Sequence, residues 1–375
     1  MNDAIEVPGV THQVVDTSAL PVSAAADPLA VVRAPVDALL REFLRAREHE
    51  LVARDPRLAP VAGAVRQMVE SGGKRMRPAF VYWGYRATGA GHSDDVWHTA
   101  AAFELLQSFA LIHDDVMDRS ARRRGLPAAH VALAAHHRAA DLRGDSDWFG
   151  VGAAILAGDL AFVWADELFD AAPLDLAALE RARRIFTDLR TELMAGQYLD
   201  LVLAATGDAS PEQARGVALL KSGRYTVTRP LQLGAAIAGV DPQLDAALVR
   251  FGDEVGVAFQ LRDDVLGLFG DPGDTGKGVL DDLRQGKRTM LMLAALDATD
   301  AAGRAVLDGA LGNPDVDAGM AREVRTVVRD SGALQSVETQ IARHFDRAVA
   351  ALADVDATAG QALKDLAARA LFRDA

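Results

Sequence analysis

The chain has 375 residues, half of them hydrophobic, and a net charge of −13 at pH 7. This acidity argues against a nucleic-acid-binding protein, because a phosphate backbone needs a basic surface. The absence of cysteine excludes disulfides, zinc–thiolate sites and a thiol nucleophile, and it suits a cytoplasmic protein. Small phosphorylated substrates stay possible, since a divalent metal can reverse the local charge.

The first 30 residues have the composition of a disordered leader. They open with acids rather than basic residues and contain no continuous apolar run, so we expect no secretory signal. No stretch of about 18 apolar residues follows in the chain either, and no membrane span is expected.

The remainder, residues 31–375, is predicted to form one large all-α domain. Ala and Leu abound, aromatic residues are few, and apolar residues recur at helical rather than strand spacing. Helices are predicted at 36–53, 61–73, 77–90, 94–118, 151–171, 175–204, 211–223, 228–238, 241–269, 289–299, 301–311, 316–331 and 333–373. Irregular, charged segments are predicted at 71–78, 119–128, 138–150 and 270–288. Loops of this kind often carry function.

A dense run of acids and arginines, LIHDDVMDRSARRRG (111–125), ends an apolar helix. Asp114 and Asp118 are one turn apart and share a face, with Asp115 about 100° around the axis. Because these aspartates prolong a buried helix, at least one should face inward, where a carboxylate needs a cation. Oxygen ligands in an open array suit Mg²⁺ completed by substrate phosphates. A solvated acidic surface is the alternative for this motif alone.

A second apolar helix, FQLRDDVLGLFGD (259–271), also ends in paired aspartates, Asp263 and Asp264. Gln260 shares the face of Asp264. Two such helix ends could converge across a cavity and hold metal ions with a diphosphate. Basic residues recur in or beside the irregular segments: Lys74, Arg75, Arg77, Arg123, Arg124, Lys221, Lys277 and Lys287. Arginine binds phosphate through two parallel hydrogen bonds, and lysine binds it as a point charge.

Seven motifs follow an order and spacing that resemble those of one enzyme family. They are GGKRMRP (72–78), LIHDDVMDRSARRRG (111–125), AGDLAF (157–162), LMAGQYLDL (193–201), KSGRYT (221–226), FQLRDD (259–264) and GKGVLDDLRQGKRT (276–289). From about residue 35 the chain therefore resembles the trans-isoprenyl diphosphate synthases, also called polyprenyl synthetases. The resemblance implies antiparallel helices around a central cavity. It also implies head-to-tail condensation of isopentenyl diphosphate with dimethylallyl, geranyl or farnesyl diphosphate.

The resemblance implies roles for the acidic residues. Asp114 and Asp118 would bind two Mg²⁺ ions, with Asp115 in support. Asp263 would bind a third ion, with Asp264 behind it, and Mn²⁺ would be able to substitute.

The same resemblance implies two diphosphate sites. The residues implied for isopentenyl diphosphate are Lys74, Arg77, Gln107 and Arg124. Those implied for the allylic diphosphate are Arg123, Lys221 and Lys277, and Lys287 is a further substrate-binding candidate. Ser222 and Gln260 would lie near the reacting carbons. The residues implied to be catalytic are Asp114, Asp115, Asp118, Arg123, Lys221, Gln260, Asp263 and Lys277.

One position departs from the family pattern. Relatives often carry a third aspartate in the second motif, where this chain has Gly267. Asp271 lies one turn further and is not expected to replace it. The departure puts the strength of the third metal site in doubt, but activity is expected to survive.

The resemblance also bears on product length and assembly. The growing chain should extend from Asp114 down the same helix, where Ala110 leaves space and Phe109 is bulky. In the family, an aromatic residue five positions before the first aspartate with a small residue at four tends to accompany C20 products. Geranylgeranyl diphosphate is therefore favoured, with farnesyl diphosphate second. A homodimer is implied as well.

Three other interpretations are open. A class I terpene cyclase shares the fold and the first aspartate motif but binds no second diphosphate, and GGKRMRP argues against it. A noncatalytic partner subunit tends to lose the aspartates or basic residues, nearly all of which are present here. A helical scaffold with acidic patches is disfavoured by the whole set of motifs.

Overall fold

The structure is a computed structural model that describes residues 27–207, 209–270 and 280–372. These residues are almost entirely helical, so the prediction of an all-α fold is confirmed. The helices are α1 (Ala30–Arg54), α2 (Ala59–Glu70), α3 (Met76–Ala87), α4 (Trp97–Met117), α5 (Ala129–Ala139), α6 (Ser146–Asp170), α7 (Leu176–Thr206), α8 (Pro211–Ala218), α9 (Arg229–Ala238), α10 (Pro242–Phe269), α11 (Asp281–Arg284), α12 (Met290–Ala298), α13 (Ala301–Ala310), α14 (Ala318–Asp330), α15 (Ala333–Ala351) and α16 (Ala357–Leu371). A π-helix (Leu219–Thr228) joins α8 to α9, and β1 (Arg122–Arg123) pairs with β2 (Leu126–Pro127).

The segment 125–150 contains α5 and the start of α6, although the sequence predicts no helix there and irregular structure at 138–150. The alanine-rich α5 has high helix propensity. Asp145 caps α6 by accepting hydrogen bonds from the backbone N–H groups of Asp147 and Trp148. The aspartate that resembles a loop residue in the sequence therefore starts a helix. The expected leader lies mainly outside the described residues, and α1 already begins at Ala30.

The last predicted helix, 333–373, is two helices. The chain leaves α15 after Ala351, and Asp356 starts α16 by accepting hydrogen bonds from the N–H groups of Thr358 and Ala359. An N-cap inside an otherwise periodic apolar pattern is a weak sequence signal, because the apolar spacing continues across it.

Helix α4 runs through the larger hydrophobic cluster, where it packs closely against α6. Glycines permit the close approach of neighbouring helices: a Cβ at Gly158 of α6 would lie 2.2 Å from the ring of His113. The C-terminal half of α10 packs with α12 to α15 in a second cluster. The ends of α4 and α10, which carry the two aspartate motifs, are thus both anchored in hydrophobic packing.

Among the described residues, α6 is the one helix whose length and mean hydropathy would suffice to cross a membrane. Its inner face, which includes Ala154, Ala161 and Leu168, packs into the core. Core helices of soluble proteins commonly reach this length and mean hydropathy. The outer face of α6 also carries exposed large apolar residues, among them Ile155, Leu156 and Val163, around the exposed Asp159.

Candidate active site

Helix α4 ends in a cluster of carboxylates. The β-ribbon of β1 and β2, which follows the helix, neutralises part of their charge. Asp115 is fully buried, and Arg123 Nη2 lies 2.5 Å from its Oδ1 and 3.1 Å from Asp114 Oδ2. Arg123 belongs to β1, and the turn at Arg124 and Gly125, both with positive φ, leads back along β2. The arginines follow the aspartates so closely because the ribbon folds back onto the end of the helix.

Two lysines from distant segments complete the neutralisation. Lys221 Nζ lies 3.3 Å from Asp114 Oδ1 and 2.6 Å from Asp200 Oδ2. Lys287 Nζ lies 2.7 Å from Asp118 Oδ2. Burial opposes the positive charge on each lysine, but the surrounding carboxylates outweigh it and raise the pKa of both. The site therefore concentrates cations on a set of carboxylates.

The π-helix that carries Lys221 and Ser222 is held between α7 and α10 by glycines. A Cβ at Gly196 of α7 would lie 2.5 Å from the backbone nitrogen of Lys221. A Cβ at Gly256 of α10 would lie 2.6 Å from the Cα of Gly223. Backbones can approach this closely only where no side chain intervenes. π-Helical turns often occur at functional sites, and this one aims Lys221 at Asp114.

The second aspartate motif, at the end of α10, is buried and hydrogen-bonded. Gln260 Nε2 donates to Asp264 Oδ1 at 2.8 Å, and the backbone N–H of Met290 donates to Asp264 Oδ2 at 3.0 Å. Burial, with Asp282 and Asp263 nearby, raises the pKa of Asp264 to about 7. The sequence prediction that Gln260 and Asp264 share a face agrees with this contact.

A short segment, 282–287, links the two acidic clusters. Gln285 Nε2 donates to the backbone oxygen of Asp118 at 2.9 Å. Besides its contact with Asp118, Lys287 Nζ lies 3.6 Å from Asp282 Oδ1. Lys287 thus joins the end of α4 to Asp282, which lies against Gly267 of α10, and the expected convergence of the two motifs agrees with this geometry.

A carboxylate from the same segment lies against Gly267. A Cβ at this glycine would lie 2.9 Å from Asp282 Oδ2. The position where relatives often carry an aspartate is thus next to an acid that another part of the chain supplies. Asp271 lies outside the described residues.

Beside the carboxylates, Arg77 and Gln107 are joined through the π-helix. Arg77 Nη2 donates to Thr226 Oγ1 at 2.8 Å, and its guanidinium lies 4.4 Å from the centroid of the Tyr225 ring. Tyr225 is buried, which raises the pKa of its phenol, and its hydroxyl donates to Gln107 Oε1 at 2.8 Å. Two residues that the sequence assigns to one diphosphate therefore lie on either side of one tyrosine.

Arg75, from the same GGKRMRP motif, is engaged in a buried ion-pair network. Its guanidinium lies 2.6 Å from Glu104 Oε2 and 2.7 Å from Asp37 Oδ1. Arg75 and Arg124 both adopt the left-handed backbone conformation, which costs energy for a residue other than glycine. Arg124 donates to the backbone oxygen of Gly72, and burial together with the neighbouring guanidinium groups lowers its pKa. The loop is thus locked in place with its cations crowded together, an arrangement that favours an anion.

The remaining predicted residues are placed as follows. Lys74 is exposed on the GGKRMRP loop, Ser222 is partly buried beside Lys221, and Asp263 is partly buried beside Asp264. Lys277 lies outside the described residues. Phe109 is buried on α4, with its ring centroid 4.8 Å from His113 and 4.9 Å from Phe162 of α6, while Ala110 is partly exposed.

Sequence reasoning missed two residues of α7 at this site. Gln197 Nε2 lies 3.4 Å from Asp114 Oδ1, and Asp200 pairs with Lys221. The available signal was a pair of polar residues beside Gly196 in an otherwise apolar motif, LMAGQYLDL. Because their partners are far away in sequence, only the packing of α7 against the π-helix reveals their role.

The donor set fits Mg²⁺ better than a softer metal. Within the ranges that the structure describes, no three His, Asp or Glu side chains stand close enough together to hold an ion by themselves. Mg²⁺ keeps several water ligands and commonly uses one or two carboxylates together with substrate phosphates. The carboxylates of Asp114 and Asp118, which already pair with arginine and lysine, suit such an ion.

The comparisons with known proteins agree with this geometry. The family model described as polyprenyl synthetase matches residues 59–328. Geranylfarnesyl diphosphate synthase of Aeropyrum pernix is 32% identical over 292 residues, 77% of this chain and 85% of that protein. Geranylgeranyl diphosphate synthase of Mycobacterium tuberculosis is 37% identical over 228 residues, 61% of this chain and 60% of that protein.

Solved structures are similar over nearly the whole chain. Geranylgeranyl pyrophosphate synthase of Corynebacterium glutamicum, complexed with isoprenyl diphosphate and magnesium, has a TM-score of 0.86 and 37% identity and covers 92% of this chain and 98% of its own. Polyprenyl synthase of Caulobacter crescentus, complexed with calcium and isoprenyl diphosphate, has a TM-score of 0.77 and 29% identity, covering 94% and 98%. The chain therefore belongs to the polyprenyl synthetase family and is a trans-prenyltransferase that builds short-chain isoprenyl diphosphates.

Proposed function

We propose that this enzyme makes geranylgeranyl diphosphate by adding isopentenyl diphosphate to an allylic diphosphate. The observation that carries the proposal is the convergence of Arg123, Lys221 and Lys287 on Asp114 and Asp118. A diphosphate with Mg²⁺ supplies both charges that such a site can bind: phosphate oxygens for the fixed cations and metal ions for the carboxylates. We place the enzyme in the cytoplasm, which suits a chain without cysteine.

The metal sites follow from the arrangement of the acids. Asp114 and Asp118 would hold two Mg²⁺ ions, with Asp115 in support through its pairing with Arg123. Asp263 would hold a third ion, with Asp264 fixed behind it, and Mn²⁺ would substitute. When bound, these ions would draw negative charge from the departing diphosphate.

Basic residues would form two neighbouring substrate sites. Those for the allylic diphosphate are Arg123, Lys221, Lys277 and Lys287. Those for isopentenyl diphosphate are Lys74, Arg77 and Arg124, with Gln107 beside them. Ser222 and Gln260, on the π-helix and on α10, would flank the reacting carbons. Holding both substrates at once converts a bimolecular reaction into one between neighbours, which supplies a large part of the rate enhancement.

The reaction needs charge stabilisation and dryness rather than a protein nucleophile. As the diphosphate leaves, Arg123, Lys221 and Lys287 hold it, and positive charge develops on the allylic carbon. The double bond of isopentenyl diphosphate attacks that carbon and leaves a tertiary cation on C3 of the attacking molecule. The released diphosphate accepts the proton from C2, and the double bond of the product forms between C2 and C3. Water would quench the cation, so the apolar wall formed by α4 and α6 is part of the mechanism.

Product mass tests this proposal. The protein would be incubated with Mg²⁺ and each allylic primer, with and without isopentenyl diphosphate. We expect C20 diphosphate from every primer and no new product without isopentenyl diphosphate. A product formed from the primer alone would indicate a cyclase, and the absence of any product would indicate a partner subunit. A C15 end product would indicate farnesyl diphosphate synthase.

Changing Phe109 and Ala110 should shift product length in opposite directions. Phe109 lies about 7.5 Å below Asp114 by the rise of an α-helix, so Phe109→Ala should give products longer than C20. Ala110→Phe should shorten products toward C15. The measurement is the chromatographic profile of the dephosphorylated products. An unchanged profile in both variants would mean that α4 does not limit product length.

Introducing an acid at position 267 should impair the third metal site. Gly267→Asp places a second carboxylate against Asp282, and like charges this close repel each other. We expect a higher Mg²⁺ concentration for half-maximal rate. Adding Asp282→Asn should restore the Mg²⁺ requirement, whereas Gly267→Ala, which adds no charge, should change it little. A lowered requirement in Gly267→Asp alone would show that the site lacks an acid.

The outer face of α6 supports a homodimer. Its exposed large apolar residues recur at seven- to eight-residue spacing, which aligns them on one face: Trp148, Ile155, Leu156 and Val163. Contiguous exposed apolar patches on a globular protein mark interaction sites. The family resemblance and this face together favour a second copy of the chain as the partner.

A charge on this face should dissociate the dimer. Leu156, which is 63% exposed, becomes buried between two copies in this proposal. We expect wild-type protein to sediment as a dimer at micromolar concentration and Leu156→Arg as a monomer. Ala246→Arg, which adds the same charge at an exposed position of α10, should remain dimeric. A wild-type monomer with full activity would contradict the proposal.

A further inference from the structure

In the proposed function, the space for the growing chain begins below Asp114 and lies between α4 and α7, which run in the same direction. Gln197 of α7 contacts Asp114 of α4 across 83 residues of sequence, and Phe186 of α7 meets Phe103 of α4 at the same separation. The same length of helix therefore separates the two contacts in α4 and in α7, about 16 Å at the rise of an α-helix. The upper contact lies at the carboxylates and the lower one in the buried core.

An aromatic layer crosses this space partway down. Phe109 faces Phe162 of α6, and the two ring centroids are 4.9 Å apart. Phe162 is only partly buried, so packing alone does not fix its ring. A neighbouring charged group does so instead.

Arg190 of α7 holds the ring of Phe162. Its guanidinium lies 5.2 Å from the centroid of Phe162 and 4.6 Å from that of the fully buried Phe186. Asp166 anchors the guanidinium, with Oδ1 and Oδ2 at 2.8 and 2.7 Å from Nη1. The Nε of Arg190 also donates to the backbone oxygen of Phe186 at 3.1 Å.

We propose that Phe162, positioned by Arg190, is a second specificity-determining layer that limits product length behind Phe109. The inference rests on the proposed function, because it assumes that a hydrocarbon chain grows down this space. Two features carry it: the direct contact of Phe162 with Phe109, and the rigid anchoring of Arg190 by Asp166 and Phe186.

The physical argument concerns what a longer chain would have to displace. To pass Phe109, the chain must push that ring against Phe162, which the guanidinium of Arg190 holds through a cation–π contact. Beyond the ring lies an ion pair, and covering an ion pair with hydrocarbon removes its remaining water at a cost in free energy. The layer therefore resists both rotation of the rings and penetration by the chain.

The residues predict a graded series of products. Phe109→Ala should stop at longer products than the wild type, and Phe109→Ala with Phe162→Ala should give longer products again. Arg190→Met should raise the ratio of products longer than C20 to C20 about fivefold, the change expected for loss of one cation–π contact. Phe162→Leu offers a smaller change should Phe162→Ala fold poorly. The readout is product mass from farnesyl and isopentenyl diphosphates.

Arg183→Met is the matched control. Arg183 also pairs with Asp166, at 3.3 Å, but its guanidinium lies over Phe169 rather than Phe162. Its product ratio should equal that of the wild type. For Arg190→Met, the KM for isopentenyl diphosphate should stay unchanged while the product ratio moves, which a general loss of structure would not produce.

The outcomes separate this inference from the function on which it rests. One outcome would overturn the inference but leave the proposed function intact. In that outcome the wild type elongates its primer, while Phe109→Ala and the double variant Phe109→Ala with Phe162→Ala give identical products. Equal shifts in Arg190→Met and Arg183→Met would overturn the positioning role of Arg190. Absence of elongation by the wild type would overturn the proposed function and the inference with it.

Discussion

Asp114→Asn and Asp263→Asn are each expected to lower turnover at least about 10³-fold, because the departing diphosphate loses metal-borne charge stabilisation. The fold should survive the first change. Lys221 keeps its partner Asp200 and Arg123 keeps Asp115, so neither cation becomes a buried, unpaired charge. Steady-state rates with saturating substrates and far-UV circular dichroism measure the two effects.

Asp95→Asn is the matched control for this pair. Asp95 is exposed just before α4 begins, so the same chemical change there removes no charge from the site. Its turnover should equal that of the wild type. Turnover near the wild-type value in both Asp114→Asn and Asp263→Asn would eliminate the two-cluster site.

Glu104→Gln is expected to destabilise the protein by about 3 kcal/mol, because it leaves the buried guanidinium of Arg75 short of one charge. This expected loss of stability is at the lower end of the range for a broken buried ion pair, because Asp37 stays bonded to Arg75. The same change should raise the KM for isopentenyl diphosphate, because Arg75 fixes the loop that carries Lys74 and Arg77. Denaturant unfolding and initial-rate kinetics provide the measurements.

The comparison variant is Asp37→Asn. The side chain of Asp37 is 33% exposed, against 8% for Glu104, so its pairing with Arg75 is screened by water. We expect a loss of at most about 1 kcal/mol. If both variants lost equal stability, burial of the ion pair would not be the source of the effect.

The sequence predicted much of this site because several of its signals are local. An apolar helix that ends in aspartates requires cations, and three cations contact the carboxylates of α4. Lone polar residues within apolar runs are comparably informative. Glu104, in AAAFELLQSFA, is such a residue, and its buried pairing with Arg75 was recoverable from the same reasoning.

Other contacts depend on packing that the sequence does not specify. Gln197 and Asp200 reach the site only because Gly196 lets the π-helix approach α7 closely. The neighbour of Gly267 is Asp282, which no periodicity relates to α10. Helix α5 was missed because the charged residues around it resemble those of a loop, whereas Asp145 acts as a cap.

In the proposed mechanism, the two aspartate clusters bind one diphosphate together through Mg²⁺. Calorimetric titration of inorganic diphosphate into the protein, with and without Mg²⁺, tests it most directly. We expect the wild type to bind diphosphate tightly with Mg²⁺. Binding should be at least about tenfold weaker without Mg²⁺ and, with Mg²⁺ present, in Asp114→Asn and in Asp263→Asn. Equal affinity with and without Mg²⁺, or wild-type affinity in both variants, would contradict it.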